Sequence, residues 1–441
     1  MASGVKEPGA GVVANSSARD ETEPGPAPIW SHADYPLGVR FVNAVGRVYR
    51  RFGKRWPKLG TGEMMSAARR RTGLTDFGDG HFLDPFQRLL TEFDGRDAAT
   101  SFGRHFFREY CIGLLVNRLK IQDALTRHPE IRDVPIRRPL VITGLPRSGT
   151  TLLHRLMSED PAGRPLLFWE QFEPAPSPRP ETYTTDPRIA RARKAISLMY
   201  KISPRIPAAH LFAAQEAEEC NGLFANEFRA GMIGFMFDVP DFVRWLNTQD
   251  LVPGYRAMRR QLQLLSLHVR RDHWVLKAPA HLYGLDALLA VYPDASIVQT
   301  HRDPLEVIPS VCSLAAGFRS IVADPIDVGK LGAEFVEAMS IGPERAMKAR
   351  ESADPARFFD VRYEDLVADP VGTVREVCQY FGYDFTPEYE SRARRYLAEN
   401  PRHKHGVHRY SLDDFGLDAQ TVKHHFAAYR AWVSDHVGQA S

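Results

Sequence analysis

The residues best suited to chemistry begin at position 144. Gly144-Leu145-Pro146-Arg147-Ser148-Gly149-Thr150-Thr151 follows the apolar run PLVIT and runs into the helical text TTLLHRLMSE. A strand, a glycine-bearing loop and a helix start surround an anion with backbone N–H groups and the positive end of a helix. The triphosphate pattern G-x-x-x-x-G-K-[ST] is met at both glycines and at Thr151, but Thr150 stands where that pattern has lysine. The lysine is the group that reaches the β- and γ-phosphates of a triphosphate. Without it the loop suits one phosphate-sized group, with Arg147 as a guanidinium in the loop, and an ATPase or kinase is the weaker reading.

A second block, HWVLKAPAHLYGLDALLAVYPDASIVQTHRDPLEVIPSVCSL (273–314), supplies further cations. Lys277 ends a short strand, Arg302 follows the next strand directly, and Pro304 opens a helix, as helix-starting prolines do. The elements that must position these groups are strands that alternate with helices. Besides PLVIT they are LLFW (166–169), WVLK (274–277), SIVQT (296–300) and RFFDV (357–361). Such alternation predicts an α/β fold, a P-loop-like mostly parallel sheet flanked by helices. Ligands of such sheets sit at the carboxyl ends of the strands, so Lys277, Arg302 and the Gly144 loop are expected to face one crevice.

Around this core the text divides into segments. Residues 1–28, rich in Gly and Pro and without an aromatic residue, predict a disordered tail. Residues 29–134 read as an N-terminal helical region, with apolar residues at three- and four-residue spacings in RFVNAVGRVYRRF and SFGRHFFREYCIGLLVNRLKIQDALTRH. Residues 135–441 carry the α/β domain, with a helical insertion at about 188–270 that would shape a substrate pocket. Lys plus Arg number 57 against 54 for Asp plus Glu, a net +3, which argues against nucleic acid as a partner by bulk charge. Cys111, Cys220, Cys312 and Cys378 form no Cys-x-x-Cys pair, so neither a disulfide framework nor a zinc site is expected. With no apolar signal segment and no membrane span, the protein reads as soluble and cytoplasmic.

The run Pro146-Arg147-Ser148-Gly149-Thr150-Thr151 resembles, without a gap, the P-[RK]-S-G-T-T loop of the sulfotransferase family. That loop takes the 5′-phosphosulfate end of 3′-phosphoadenosine-5′-phosphosulfate (PAPS), so the resemblance implies a PAPS-dependent enzyme that uses no metal. It covers roughly residues 135–415. In that family a strand-end Arg and a Ser eight residues later take the 3′-phosphate of the nucleotide, and Arg302 and Ser310 reproduce the spacing. A fork donor with a hydroxyl suits a dianionic phosphate. Lys277 in K-x-P-x-H-L is similar to the lysine of the tyrosylprotein branch that assists the leaving group. Tyr363 and Asp365 in Val361-Arg362-Tyr363-Glu364-Asp365-Leu366 resemble the Y-E-D-L element, whose Tyr lies against the adenine. The R-K-G-x-x-G signature of cytosolic members is absent from 403–417, leaving Lys404 and Arg409 as candidates for its role.

Sulfuryl transfer to a hydroxyl also needs a base. Glu170, read as ending the strand LLFW, lies 23 residues after Arg147, nearly the offset of the glutamate base in the tyrosylprotein branch. His210 lies 63 residues after Arg147, close to the offset of the histidine in the cytosolic branch, although IPAAHLFAAQ reads as helix. Glu170 is the preferred expectation and His210 its rival. Glu216, Glu218 and Glu219 are candidates to line an acceptor pocket or a solvated helix face, and MIGFMFDVPDFVRWL (232–246) suits an apolar acceptor or simple core. His403, His405, His408, His424 and His425 lack a metal-binding pattern. The expected activity is transfer of the sulfuryl group to a small-molecule, lipid or glycolipid hydroxyl. A P-loop kinase, or a nucleotide-binding protein without catalysis, is the alternative.

Overall fold

Short apolar runs pair at the centre of the molecule because strands covered on both faces need apolar residues at every position rather than at alternate ones. The structure, a computed structural model, describes residues 35–204, 206–401 and 410–437. Leu140–Gly144 (β1), Gly163–Pro165 (β2), His273–Lys277 (β3), Ser296–His301 (β4) and Phe358–Arg362 (β5) form one sheet in the order β2-β3-β1-β4-β5. All four pairings are parallel. Every residue of β1, β3 and β4 is buried. The register sets Ile142 opposite Lys277 and Gly144 opposite Thr300, so the carboxyl ends of the three central strands lie level along one edge.

Before the sheet come α1 (Leu37–Arg51), α2 (Thr61–Thr72), α3 (Leu83–Gly95) and α4 (Ser101–Arg127). Thr100 caps the last of these by accepting the Gly103 N–H at 2.9 Å. These helices do not stand apart from the main fold. Phe93 stacks on Phe107 at 4.0 Å, Phe107 meets Phe237 edge-on at 4.9 Å, and Arg118 pairs with Glu227. The apolar stretch 232–246 is therefore core, with Ile233, Phe237, Val239, Phe242 and Leu246 all buried.

Behind β1 lies α5 (Thr150–Met157), and a single helical turn, α6 (Phe168–Phe172), follows β2. This corrects the expected strand LLFW: the strand is Gly163-Arg164-Pro165, and 168–172 is helix. The Glu170 carboxylate accepts the Leu167 N–H at 3.1 Å and so stabilises a helix start within the apolar run. Four apolar residues in a row do not distinguish the two states by periodicity. The insertion opens with α7 (Pro187–Ile202), capped by Asp186, and continues through short helices to Val252–Leu265.

Candidate active site

The loop after β1 is held by its own backbone and by β4. The Ser148 hydroxyl donates to the Leu145 carbonyl at 2.5 Å and shares a second hydrogen bond with Thr300 Oγ1 at 2.6 Å. Gly144 has φ +145, and a Cβ there would lie 2.3 Å from Thr300 Oγ1 and 2.5 Å from the Thr300 carbonyl oxygen. Gly149 has φ +91, and a Cβ there would press on Leu366 and Tyr363 at 2.9 and 3.2 Å. Both glycines are thus required by close approach as well as by backbone conformation. Arg147 takes φ 68 with a side chain, a conformation that costs on the order of 1–3 kcal/mol. Its surroundings hold it there: Arg302 donates to the Arg147 carbonyl at 3.0 Å, and Arg147 Nε donates to Ser310 Oγ at 3.1 Å. The loop delivers the chain to α5, whose first-turn N–H groups, at Thr150, Thr151 and Leu152, have no acceptor within the helix. Those groups and the helix dipole suit an anion.

On the β4–β5 side, Arg302 lies 4.0 Å over the Tyr363 ring and pairs with Glu306 at 2.5 Å. Ser310, two turns into the helix Pro304–Arg319, is buried at 4% exposure and reaches back to Arg147. Asp303 caps that helix by accepting the Leu305 N–H at 3.0 Å. Two guanidinium groups, a hydroxyl, an aromatic face and a helix N-terminus therefore converge, a set suited to a nucleotide carrying separate phosphates.

On the β3 side, Lys277 is 1% exposed, with Nζ 2.6 Å from Glu219 Oε1 and 3.5 Å from Thr151 Oγ1. Glu219 arrives there because the chain around Ala217 lies antiparallel beside Leu167 in a single β-bridge before it turns at Cys220. Phe168 N–H donates to the Glu216 carbonyl, Glu218 N–H to the Leu166 carbonyl and Cys220 N–H to the Lys277 carbonyl, at 3.0, 2.8 and 2.9 Å. The same path buries Glu218 at 5% exposure, with Oε2 3.8 Å from His210 Nε2. Burial pushes the Glu218 carboxyl up, but the contact with His210 and the charges of Lys277 and Arg155 outweigh it and bring the pKa down to about 2. His210 follows the short helix Ile206–Ala209 and packs on Phe212 at 4.2 Å. His154 on α5 is buried, and desolvation with the charges of Lys277 and Arg155 keeps it neutral, far below the usual imidazole value.

Glu170 does not join this group. It is 0% exposed, pairs with the buried Arg164 at 2.7 Å, accepts the Tyr183 hydroxyl at 3.3 Å and holds the start of α6. Arg164 is fixed in turn by the carbonyls of Leu265 and Val269 at 2.8 and 2.7 Å. The expectation that Glu170 would face the crevice fails because the residue belongs to a helix start and not to a strand end. All its carboxylate contacts are inside the fold.

Residues 139–387, more than half of the chain, match the profile described as "Sulfotransferase family". The chain belongs to the sulfotransferase family. A curated relative, the omega-hydroxy-beta-dihydromenaquinone-9 sulfotransferase Stf3 of Mycobacterium bovis, is 26% identical over 286 residues, covering 62% of this chain and 70% of its own. Its counterpart in Mycobacterium tuberculosis matches equally. Among solved structures, sulfotransferase STF1 from Mycobacterium tuberculosis H37Rv superposes with a TM-score of 0.76 at 36% identity, covering 84% of this chain and 98% of that one. Sulfotransferase STF9 from Mycobacterium avium gives 0.79 at 28% identity, with 86% and 98% covered.

Within this sulfotransferase, the structure gathers Gly144, Arg147, Ser148, Gly149, Thr150, Thr151, Arg302, Ser310 and Tyr363 along one edge, with Lys277 reaching Thr151 from β3, while His210 contacts Glu218 and Phe212. Lys404, Arg409, His403, His405 and His408 lie outside the described residues. Among the described residues, no group of three or more His, Cys, Asp or Glu side chains is arranged to hold a metal ion. Reading the sequence missed the pairings Glu219–Lys277, Glu218–His210 and Arg164–Glu170. None of them left a local trace in the sequence, since each joins residues whose spacing fits no helix or strand pairing.

Proposed function

We propose that this sulfotransferase moves the sulfuryl group of PAPS to a hydroxyl of an apolar small molecule or lipid. The observation that carries the reading is the convergence of Arg147, Arg302 and Ser310 on a helix N-terminus without the triphosphate lysine, while Lys277 reaches Thr151 from the other side. In this reading the 144–151 loop takes the 5′-phosphosulfate, Arg302 and Ser310 take the 3′-phosphate, and Tyr363 lies against the adenine. The acceptor oxygen attacks sulfur in line as the bond to the 5′-phosphate oxygen breaks, and the electron pair departs on that oxygen. Arg147 and Lys277 stabilise the charge that develops there.

His210 takes the acceptor proton in place of the expected Glu170. Its imidazole is 20% exposed and lies beside the buried, ionised Glu218, a carboxylate that stabilises the imidazolium once the proton arrives. Next to it, an open groove of about 460 Å³ is lined by Ile196, Tyr200, Phe212 and Ala214, with Arg193 and Lys201 among its polar residues. The groove shares Phe212 with the His210 contact, and its apolar walls suit a hydrophobic acceptor. The lipid acceptor in the name of the Stf3 relative points the same way.

Calorimetry with 3′,5′-adenosine bisphosphate and with Mg-ATP tests the donor side. The bisphosphate is expected to bind tightly, and Arg302→Ala to weaken it about 10–100-fold, the value of charged hydrogen bonds to a phosphate. Tight Mg-ATP binding without bisphosphate binding would replace this reading with a kinase.

A further inference from the structure

The first helix carries a surface that the catalytic crevice does not use. In α1 and its cap, Leu37, Phe41, Val48 and Phe52 are 79%, 70%, 52% and 76% exposed. At 100° per residue they fall within a sector of about 60°. Arg40, Arg47 and Arg51, all exposed, occupy the sector beside them. Just beyond, Trp56 and Tyr49 stack at 6.2 Å and remain 43% and 44% exposed. Between residues 35 and 62 there are seven Lys or Arg and no Asp or Glu.

The opposite face of α1 is already committed. A Cβ on Gly46 would lie 1.7 Å from Ser101 Oγ, Asn43 Oδ1 accepts the Phe102 N–H at 2.9 Å, and Arg50 donates to the Asp97 and Ala99 carbonyls at 2.5 Å each. The apolar stripe therefore cannot turn inward without breaking these contacts. A contact path leads from this helix to the acceptor side. Thr100, at the start of α4, donates its N–H to the Val322 carbonyl at 2.9 Å, and nearby Phe318 meets Phe212, the neighbour of His210, at 6.3 Å.

We propose that α1 is an interfacial anchor. It lays the Leu37, Phe41, Val48 and Phe52 stripe into the boundary between headgroups and acyl chains of an anionic lipid surface, with Arg40, Arg47 and Arg51 at the lipid phosphates. An exposed apolar stripe flanked by cations is the form of a helix that lies on a membrane, and paired Trp and Tyr rings suit the headgroup level. No described helix is long and apolar enough to cross a membrane. Charge decides the occupant. A second copy meeting the same patch across a two-fold axis would bring two arginine flanks together, whereas anionic headgroups neutralise one. The anchor would hold the acceptor groove close to a lipid reservoir.

Flotation of the full chain with phosphatidylcholine vesicles, and with vesicles enriched in phosphatidylglycerol, tests this without any sulfuryl donor. Failure here therefore leaves the sulfotransferase reading intact. The chain is expected to float with the anionic vesicles only and to be released by high salt. The triple substitution Arg40→Gln, Arg47→Gln, Arg51→Gln should weaken partitioning about 100-fold, at roughly fivefold for each near-surface cation. Phe41→Ser with Phe52→Ser should abolish flotation while leaving the melting temperature unchanged, since both rings are exposed. Three results would each overturn the proposal: equal flotation with both vesicle types, no flotation, or a stable dimer that these serine substitutions dissociate.

Discussion

The two sides of the crevice are built differently. The β4–β5 side, with the loop 144–149, is shaped by backbone: positive φ at Gly144, Arg147 and Gly149, a helix N-terminus, and strand ends set level by register. The β3 side is shaped by side chains from distant segments. Lys277 meets Glu219, and Glu218 meets His210, only because the chain around Ala217 lies beside Leu167 and then turns at Cys220, whose N–H donates to the Lys277 carbonyl. A group common to all substrates, such as a nucleotide phosphate, can be held by a fixed backbone cradle. An acceptor that varies is better met by replaceable side chains in an insertion.

That contrast predicts where substitutions act. His210→Ala should lower kcat by about 10²–10⁴-fold, the usual worth of a positioned base, and leave bisphosphate affinity unchanged by calorimetry. A parallel loss of affinity would move His210 to the donor side. Lys277→Ala should lower kcat by about 10²–10³-fold with a much smaller change in bisphosphate affinity. Equal losses in both would make it a ground-state binding residue. Glu170→Gln should act on the fold instead. It leaves the buried Arg164 without its charge partner, at a cost of about 3–5 kcal/mol in denaturant unfolding, while kcat of the folded fraction stays within about threefold. A larger kcat loss at unchanged stability would restore Glu170 as the base.

The smallest expected effect is in acid. The Glu218 pKa is lowered from 4.5 to about 2, so its contribution to stability is complete above about pH 4.5 and disappears as pH falls toward 2. Glu218→Gln should flatten the dependence of the melting temperature on pH in that window. Asp360, also lowered to about 2 despite burial, by Arg350 and His301, keeps its own slope of the same sign in the variant. An unchanged slope would mean that the His210–Glu218 contact does not hold in solution.

These two sides also differ in how far the sequence disclosed them. PLVIT, WVLK, SIVQT and RFFDV appear as β1, β3, β4 and β5 within one residue; the first three are fully buried parallel strands, which are written as mostly apolar text, while the edge strand β5 is only partly buried. Gly144 and Gly149 were legible from the strand-to-helix loop they bound, and Arg302 and Ser310 from the end of β4 and the helix that follows it. LLFW failed because four apolar residues suit a helical turn as well as a strand, and Glu170 went with it. Glu218 and Glu219 stood in a charged run that carries no mark of burial. Their role depends on Leu166 and Lys277, more than 50 residues away in opposite directions along the chain.

In the proposed reading the crevice joins a sulfuryl donor held by the backbone cradle to an acceptor served by Lys277 and His210. Incubation of the protein with ³⁵S-labelled PAPS and a whole-cell lipid and metabolite extract, with products separated and weighed by mass spectrometry, puts this to the test. One labelled product heavier by a sulfuryl group is expected, lost with Lys277→Ala and with His210→Ala but formed by Glu170→Gln. PAPS left unconsumed, together with turnover of ATP by the same preparation, would contradict it.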